Sequence, residues 1–251
     1  MDARLGLTAQ GAVEGMVRSR AVPVTEGAVP RTPAAVGRAD IARLLQQATA
    51  ERDAGALEQA EDLYWPALDL AIEYRSRQQE GWAWDGLGSC RARHRDHGMA
   101  LRFFTRADRL ADETGDTLLK AWCLHNFGSL RREHGDVPAA RDFFEQCLAV
   151  AEAHQRPVPA GWTHHQLAEL ARDESDARQE LEHYAAAARA GLACHDDALA
   201  GWSLIHLARC TEQSGALGEA NDHYVQAAGI GSRFDAEMLR QAEEGLARTG
   251  R

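Results

Sequence analysis

The chain of 251 residues lacks the features that mark several large classes of protein. No apolar stretch reaches about 18 residues, so nothing in it resembles a membrane-spanning helix. The N-terminus begins Met1-Asp2-Ala3-Arg4 without the apolar segment of a secretory signal, and we expect no export by that route. Neither a GxSxG nucleophile elbow nor a GxxxxGK[ST] phosphate loop is present, so two common enzyme signatures are missing.

Cysteine is scarce, and its spacing is uninformative. The five cysteines are an odd number and form no CxxC pair, which fits neither a disulfide framework nor a zinc ribbon. Cys147 stands at a position that recurs along the chain at one fixed interval and elsewhere holds a small residue. The other members of that column are Ala67, Ala107, Ala187 and Ala227. We therefore expect reduced cysteines that pack inside a cytoplasmic protein.

Positive charge is also in short supply, because the formal net charge is −10 and Lys120 is the only lysine. Nucleic-acid binding needs a surface that neutralises phosphates. Anionic membrane surfaces attract basic segments for the same reason. The composition therefore predicts neither nucleic acid nor membrane as a partner.

Tryptophan, by contrast, recurs at one fixed interval, and other columns of residues keep the same period. The tryptophan column is Trp82, Trp122, Trp162 and Trp202; an apolar column is Leu87, Phe127, Leu167 and Leu207; an aromatic column is Tyr64, Phe104, Phe144, Tyr184 and Tyr224. The period of about 40 residues lies within the range that is the signature of a repeat array. In such an array each repeat contacts only its neighbours.

Each repeat contains a first helix, a turn and a second helix. In the third repeat we predict a first helix over Asp116–Glu133 and a second over Ala139–Ala153, joined by Gly135-Asp136-Val137-Pro138. Glycine ends a helix well, and proline suits the first turn of the next. Arg95 and Ser175 replace the turn glycine in the second and fourth repeats, so those two turns are less well defined by sequence.

The same pattern divides the whole chain. We predict a flexible leader over residues 1–38, rich in Ala, Val, Gly and Pro, and a helical array over 39–251. The predicted helix pairs span about 41–78, 79–118, 119–158, 159–196 and 199–231, and a last helix covers Phe234–Arg248. That last helix has an exposed polar side, typical of a cap. Pro66 lies inside the second helix of the first repeat, where we expect a kink or break.

At these residues the chain resembles the tetratricopeptide repeat (TPR) family, in a long form with about 40 residues per repeat. The third repeat shows the resemblance most fully, with Trp122, Phe127, Gly128, Gly135, Asp136, Ala140 and Phe144. The resemblance implies an all-α, right-handed α-solenoid of five helix–turn–helix repeats with a C-terminal capping helix. Long repeats of this kind resemble those of bacterial transcriptional regulators and signalling ATPases, which suggests a bacterial source.

In the family that the chain resembles, the first helices line a concave groove that holds ligands. Helical spacing places one tryptophan and several polar residues on the same face of each first helix. The candidate partner-binding residues are Trp82, Asp85, Ser89, Trp122, His125, Ser129, Arg132, Trp162, His165, Glu169, Arg172, Trp202 and Arg209. Tryptophan and arginine are frequent at interface hot spots, although a tryptophan can equally pack between neighbouring first helices.

Part of this face could bind a metal ion instead of a partner protein. His164, His165 and Glu169 lie close in sequence, and His125 stands one repeat before His165. Two histidines and one carboxylate can hold iron or zinc. Histidine and glutamate at this spacing are nevertheless common on polar helix faces, and neighbouring helices lie roughly 10 Å apart. We therefore expect no metal and no cofactor.

The sequence thus predicts a cytoplasmic, non-enzymatic scaffold or regulatory adaptor that binds a protein or peptide segment in its groove. The alternative is a small-molecule or enzymatic pocket in the same groove, around His125, His165 and Glu169. A deep, closed cavity there would favour the alternative, and an open groove would favour the adaptor. The identity of the partner and the oligomeric state stay open.

Overall fold

A computed structural model describes residues 33–250, with the side chains of 33–36 and 234 left aside. All regular secondary structure in this range is α-helical, which confirms the predicted class. The eleven helices of the described range are α1 (Pro33–Asp53), α2 (Leu57–Glu73), α3 (Arg77–Arg93), α4 (His97–Thr114), α5 (Thr117–Glu133), α6 (Val137–Ala153), α7 (Pro157–Asp173), α8 (Ala177–Cys194), α9 (Asp197–Gln213), α10 (Leu217–Phe234) and α11 (Ala236–Thr249). None of these helices combines the length and apolar character that a bilayer span needs.

The described chain divides into two compact units, one holding α1 to α6 and the other α7 to α11. Within each unit every helix packs on the next one in the chain. The odd-numbered helices also contact one another: α1 with α3 and α3 with α5 in the first unit, α7 with α9 and α9 with α11 in the second. Each unit is therefore a stack of helix hairpins, in which the first helices lie side by side.

Residues with a left-handed backbone close the helices at regular intervals. Within the described range they are Gly55, Arg75, Arg95, Gly115, Gly135, Gln155, Ser175, His195 and Gly215. Arg95 and Ser175 have φ values of 60° and 61°, so the two turns without glycine adopt the same conformation as the others. The N–H of Asp176 donates to the carbonyl of Ala171, just as that of Asp136 donates to Arg131. These bonds satisfy carbonyls that would otherwise be orphaned at the helix end.

The start of a helix is defined in most cases by an aspartate. Side-chain carboxylates accept backbone N–H bonds at the N-termini of α4, α5, α6, α8, α9 and α11. The capping residues are Asp96, Asp116, Asp136, Asp176, Asp196 and Asp235. Because a cap satisfies N–H groups that have no partner within the helix, these aspartates mark the helix boundaries locally.

The aromatic column forms the centre of each hairpin. Tyr64, Phe104, Phe144, Tyr184 and Tyr224 are all buried, and the small residues opposite them let the helices approach. A Cβ added to Gly88 would lie 2.6 Å from Cε1 of Phe104, and one added to Gly128 would lie 2.5 Å from Cε1 of Phe144. The predicted close approach at these two glycines is therefore present. All five cysteines are thiols, three of them buried.

Three boundaries can be compared with their predictions. Helix α1 begins at Pro33, ahead of the predicted start at Ala39, because proline suits the first helical position and small residues follow it. Residues 1–32 of the predicted leader lie outside the described residues. The expected break at Pro66 is absent, since α2 runs continuously through it. The predicted cap is confirmed: α11 buries Met238 and Ala242 and exposes Glu237, Arg240, Glu243 and Glu244.

Candidate functional site

The structure buries more than half of the predicted partner-binding residues. Trp122, Trp162 and Trp202 are 0%, 1% and 3% exposed, so they are not the surface anchors that the sequence predicted. These tryptophans instead pack in the interior, which is the alternative that the sequence analysis gave for them. Asp85, His125, His165 and Glu169 are buried as well. The predicted residues that keep solvent exposure are Trp82, Ser89, Ser129, Arg132, Arg172 and Arg209.

Two of the tryptophans tie neighbouring first helices together. The indole Nε1 of Trp82 donates to Oδ2 of Asp116 at 3.0 Å, and that of Trp162 donates to Oδ2 of Asp196 at 3.1 Å. Asp116 and Asp196 are the residues that cap α5 and α9. The tryptophan column therefore has a structural role in these two repeats: each indole bonds to the residue that starts the next first helix.

A buried polar cluster lies in the second unit, centred on Glu169 of α7. Tyr184 of α8 donates to Oε1 of Glu169 at 2.5 Å, and Arg172 donates to Oε2 at 2.7 Å. Nδ1 of His165 lies 3.0 Å from Oγ of Ser203 on α9. The cluster thus connects three successive helices.

A second histidine, His206 of α9, completes this cluster. Its ring stacks on Tyr184 with centroids 4.9 Å apart and planes inclined by 10°, and its centroid lies 5.5 Å from that of His165 in an edge-on arrangement. Ligand atoms of His165, Glu169 and His206 all lie within 4.8 Å of one another, and the three residues are 2%, 3% and 4% exposed.

The predicted grouping of histidines was only partly right. His165 and Glu169 share one face of α7, as expected from their spacing of one turn. His164 faces α8 instead, where its Nδ1 lies 3.0 Å from Nδ1 of His183. His125 belongs to the other unit, where its ring packs against Trp122 and Phe144.

Sequence reasoning missed His206, although a signal for it exists. Its column holds Asn126 and Gln166 in the two preceding repeats, and both of those residues are buried. A polar residue that recurs in a buried column indicates a partner on a neighbouring helix. In the first unit that partner is visible: Nδ2 of Asn126 donates to Oδ1 of Asp85 at 2.8 Å.

Burial and local charge set the protonation states of the cluster. Burial by itself would raise the pKa of Glu169, but His165, His206, Arg172 and the Tyr184 hydroxyl together hold that pKa well below its usual range. Burial lowers the pKa of His206 to about 3 and raises the pKa of Tyr184. At neutral pH the cluster therefore holds a carboxylate, an uncharged imidazole at His206 and a protonated phenol.

An open depression of about 460 Å³ lies in the first unit, and none of the predicted groove residues lines it. It is lined by Ile72, Arg75, Arg77, Glu80 and Arg106. Glu80 is buried and accepts from Arg77 at 2.9 Å and from Arg106 at 3.2 Å. Two of the three arginines at this depression are thus already paired with a carboxylate of the chain.

Comparison with known proteins gives a fold and no family. No family model and no curated protein matches the chain. The solved structure of BtubC (BKLC) from P. vanneervenii is similar, with a TM-score of 0.62 at 17% identity and 93% of each chain covered. The structure of the APC/C hetero-tetramer Cut9-Hcn1 aligns with a TM-score of 0.45 at 15% identity, over 80% of this chain and 42% of that one. At these identities the first likeness shows a shared helical fold, and the second adds nothing to it.

Proposed function

We propose that the chain is a scaffold that binds a segment of another protein on the solvent-facing side of its first helices. The observation that carries this proposal is the repetition of polar residues with at least partial solvent exposure at equivalent places. Ser89 and Ser129 occupy the same position in successive repeats, as do Arg132 and Arg172, and Arg209 lies one turn before the end of α9. Ser89, Ser129 and Arg132 lie on α3 and α5 of the first unit, and Arg172 and Arg209 lie on α7 and α9 of the second. Within a unit, such side chains on neighbouring first helices suit an extended segment.

The chemistry of these side chains favours a partner with carboxylates. Arginine forms bidentate bonds with carboxylates and is enriched at interface hot spots. Arg172 is exposed and Arg132 and Arg209 are half-buried, so these side chains reach solvent although the chain as a whole is acidic. We therefore infer that an acidic peptide segment is the class of ligand for these arginines, with Trp82 as an additional apolar contact in the first unit.

The test compares four purified proteins. They are the wild type, the single variants Arg132→Ala in the first unit and Arg209→Ala in the second, and a control with Arg102→Ala and Arg178→Ala on exposed sites of second helices. Host proteins that bind the wild type are captured, and crosslinking identifies the peptide segment that contacts it. That peptide is synthesised and titrated into each protein by calorimetry. We expect binding at least about tenfold weaker to one or both arginine variants and unchanged binding to the control. Equal binding to all four proteins would refute the proposed surface.

Residence in the cytoplasm stays a prediction. Of the alternative pocket around His125, His165 and Glu169, His125 belongs to the first unit, where its ring packs against Trp122 and Phe144. In the second unit, His206 lies beside His165 and Glu169, and these three residues carry groups that can bind a metal ion.

A further inference from the structure

We propose that His165, Glu169 and His206 form a binding site for a transition-metal dication, with zinc as the first candidate. The proposal does not rest on the scaffold role, with which the cluster shares Arg172. Two imidazoles and one carboxylate are the protein ligands of many zinc and iron sites. Here they come from α7 and α9, two first helices that lie side by side in the second unit.

The size of the cluster suits a single ion. An ion at the centre of a triangle with sides of 4.8 Å would lie about 2.8 Å from each corner, and zinc ligands lie about 2.0–2.2 Å from the metal. Each ligand atom therefore has to move inward by no more than about 0.8 Å. Small side-chain rotations supply a movement of that size without any shift of the helices.

The surrounding residues orient the three ligands as outer-shell partners do in metal sites. Nδ1 of His165 lies 3.0 Å from Oγ of Ser203, and this contact fixes the orientation of the imidazole. Tyr184 holds Oε1 of Glu169, and its ring stacks on His206 and fixes the plane of that imidazole. Arg172 donates to Oε2 at 2.7 Å, so both carboxylate oxygens are held in place.

A comparison of Tyr184 with Tyr224, its equivalent in the next repeat, tests whether the two histidines are needed to hold the tyrosine in place. Tyr224, the equivalent of Tyr184, donates to Oε2 of Glu212 at 2.8 Å, and Arg248 of α11 binds the same carboxylate, although Glu212 stands in the column of Arg172 and not of Glu169. No histidine stands 40 residues beyond either imidazole: Ile205 follows His165, and Leu246 of α11 follows His206. Holding the tyrosine therefore does not require His165 and His206.

A second histidine pair in the same unit provides the matched control. His164 and His183 are half-buried, and their Nδ1 atoms lie 3.0 Å apart, a spacing that also allows two bonds to one ion. Zinc binding by the chain could thus arise at either place. Variants at His206 and at His183 distinguish them, because the two residues lie on different helices and belong to different clusters.

The experiment uses the full chain, freed of metal with a chelator and titrated with Zn²⁺ by calorimetry and with Co²⁺ by visible absorption. The variants are His206→Gln, which places in this column the residue that Gln166 already supplies one repeat earlier, Glu169→Gln, and His183→Gln as the control. Circular dichroism confirms that each variant is helical. We expect one ion per wild-type chain, affinity reduced more than about tenfold in the first two variants, and no change in the control.

Each other outcome would overturn the site. No heat and no Co²⁺ absorption with the folded wild type would exclude a metal at the cluster. Binding that survives both His206→Gln and Glu169→Gln would exclude these ligands, and binding lost only in His183→Gln would assign the ion to the half-buried pair. Each cluster variant removes one proposed ligand by itself. If one of them fails to fold, comparison of the other with the wild type still tests the site.

Discussion

The indole of Trp162 donates to Asp196 at 3.1 Å, and the same aspartate accepts the backbone N–H of Leu199 at the start of α9. One carboxylate therefore caps a helix and satisfies a buried tryptophan of the preceding repeat. The geometry recurs two repeats earlier, where Trp82 donates to Asp116, the cap of α5. Trp162, which the sequence predicted to bind a partner, instead connects two neighbouring first helices through this hydrogen bond.

Asp196→Ala should consequently cost more stability than the loss of an ordinary cap. We expect a decrease in the free energy of unfolding of about 2–4 kcal/mol, since a cap contributes about 1 kcal/mol and an unpaired buried indole N–H costs about 1–3 more. Asp176→Ala, which removes an exposed cap that bonds only within its own turn, should cost about 1 kcal/mol. Urea denaturation of both variants measures the difference, and equal losses would show that the indole bond contributes nothing.

Gly88→Ala and Gly229→Ala should change stability in opposite directions. A methyl group at Gly88 would meet the buried ring of Phe104, so we expect a loss of about 1–3 kcal/mol from overpacking. Gly229 lies inside α10 with nothing within 4 Å of an added Cβ. Alanine there should stabilise by about 0.5–1 kcal/mol through its higher helix propensity. Thermal denaturation of the two variants checks the pair; a gain at Gly88 would contradict the close helix contact.

The turns offer an exchange between equivalent positions of successive repeats. Ser175 has a left-handed φ of 61°, and Gly135 has a φ of 77° at the same place one repeat earlier. Because this region strains residues that carry a Cβ, Ser175→Gly should stabilise by up to about 1 kcal/mol and Gly135→Ser should destabilise by a similar amount. Denaturant midpoints of the two single variants and of the double exchange measure this, and the double variant should lie close to the wild type.

Acid should weaken the second unit through Glu212. The hydrogen bond from Arg248 lowers the pKa of Glu212 against a small opposing effect of burial, and Tyr224 adds to the lowering. The unfolded carboxyl, with an ordinary pKa of about 4.3, binds its proton at higher pH than the folded one. This contribution is therefore present above about pH 4.3 and is lost as the pH falls through the lowered folded pKa.

Glu212→Gln should accordingly be less stable than the wild type at neutral pH, with the difference shrinking as the solution is acidified below the ordinary carboxyl pKa. Unfolding free energies across this range test the trend. Glu243→Gln on the exposed side of α11 is the control, and we expect its stability to run parallel to that of the wild type. A constant deficit of Glu212→Gln at every pH would mean that its ionisation is not coupled to folding.

Local and periodic features of this fold can be predicted from the amino-acid sequence. Helix ends follow from aspartate caps and turn residues, and the buried aromatic column follows from its period, so the helix pairs from α3 onward begin and end within a few residues of their predicted positions. The first turns of α1 escape prediction because Ala, Val and Gly together carry a weak helical signal. The continuity at Pro66 escapes it because packing outweighs one lost backbone bond.

The sequence by itself determined the helix hairpins, since caps, turns and spacing act within one or two neighbouring helices. It could place His165 and Glu169 on one face of one helix, because that is a matter of helical geometry alone. Which residues cover that face is decided by the packing of α7 against α9, which brings His206 and Ser203 to His165 from the following repeat. Contacts across that separation depend on how side chains of different helices fit together, and for that reason only the tertiary structure shows the buried cluster.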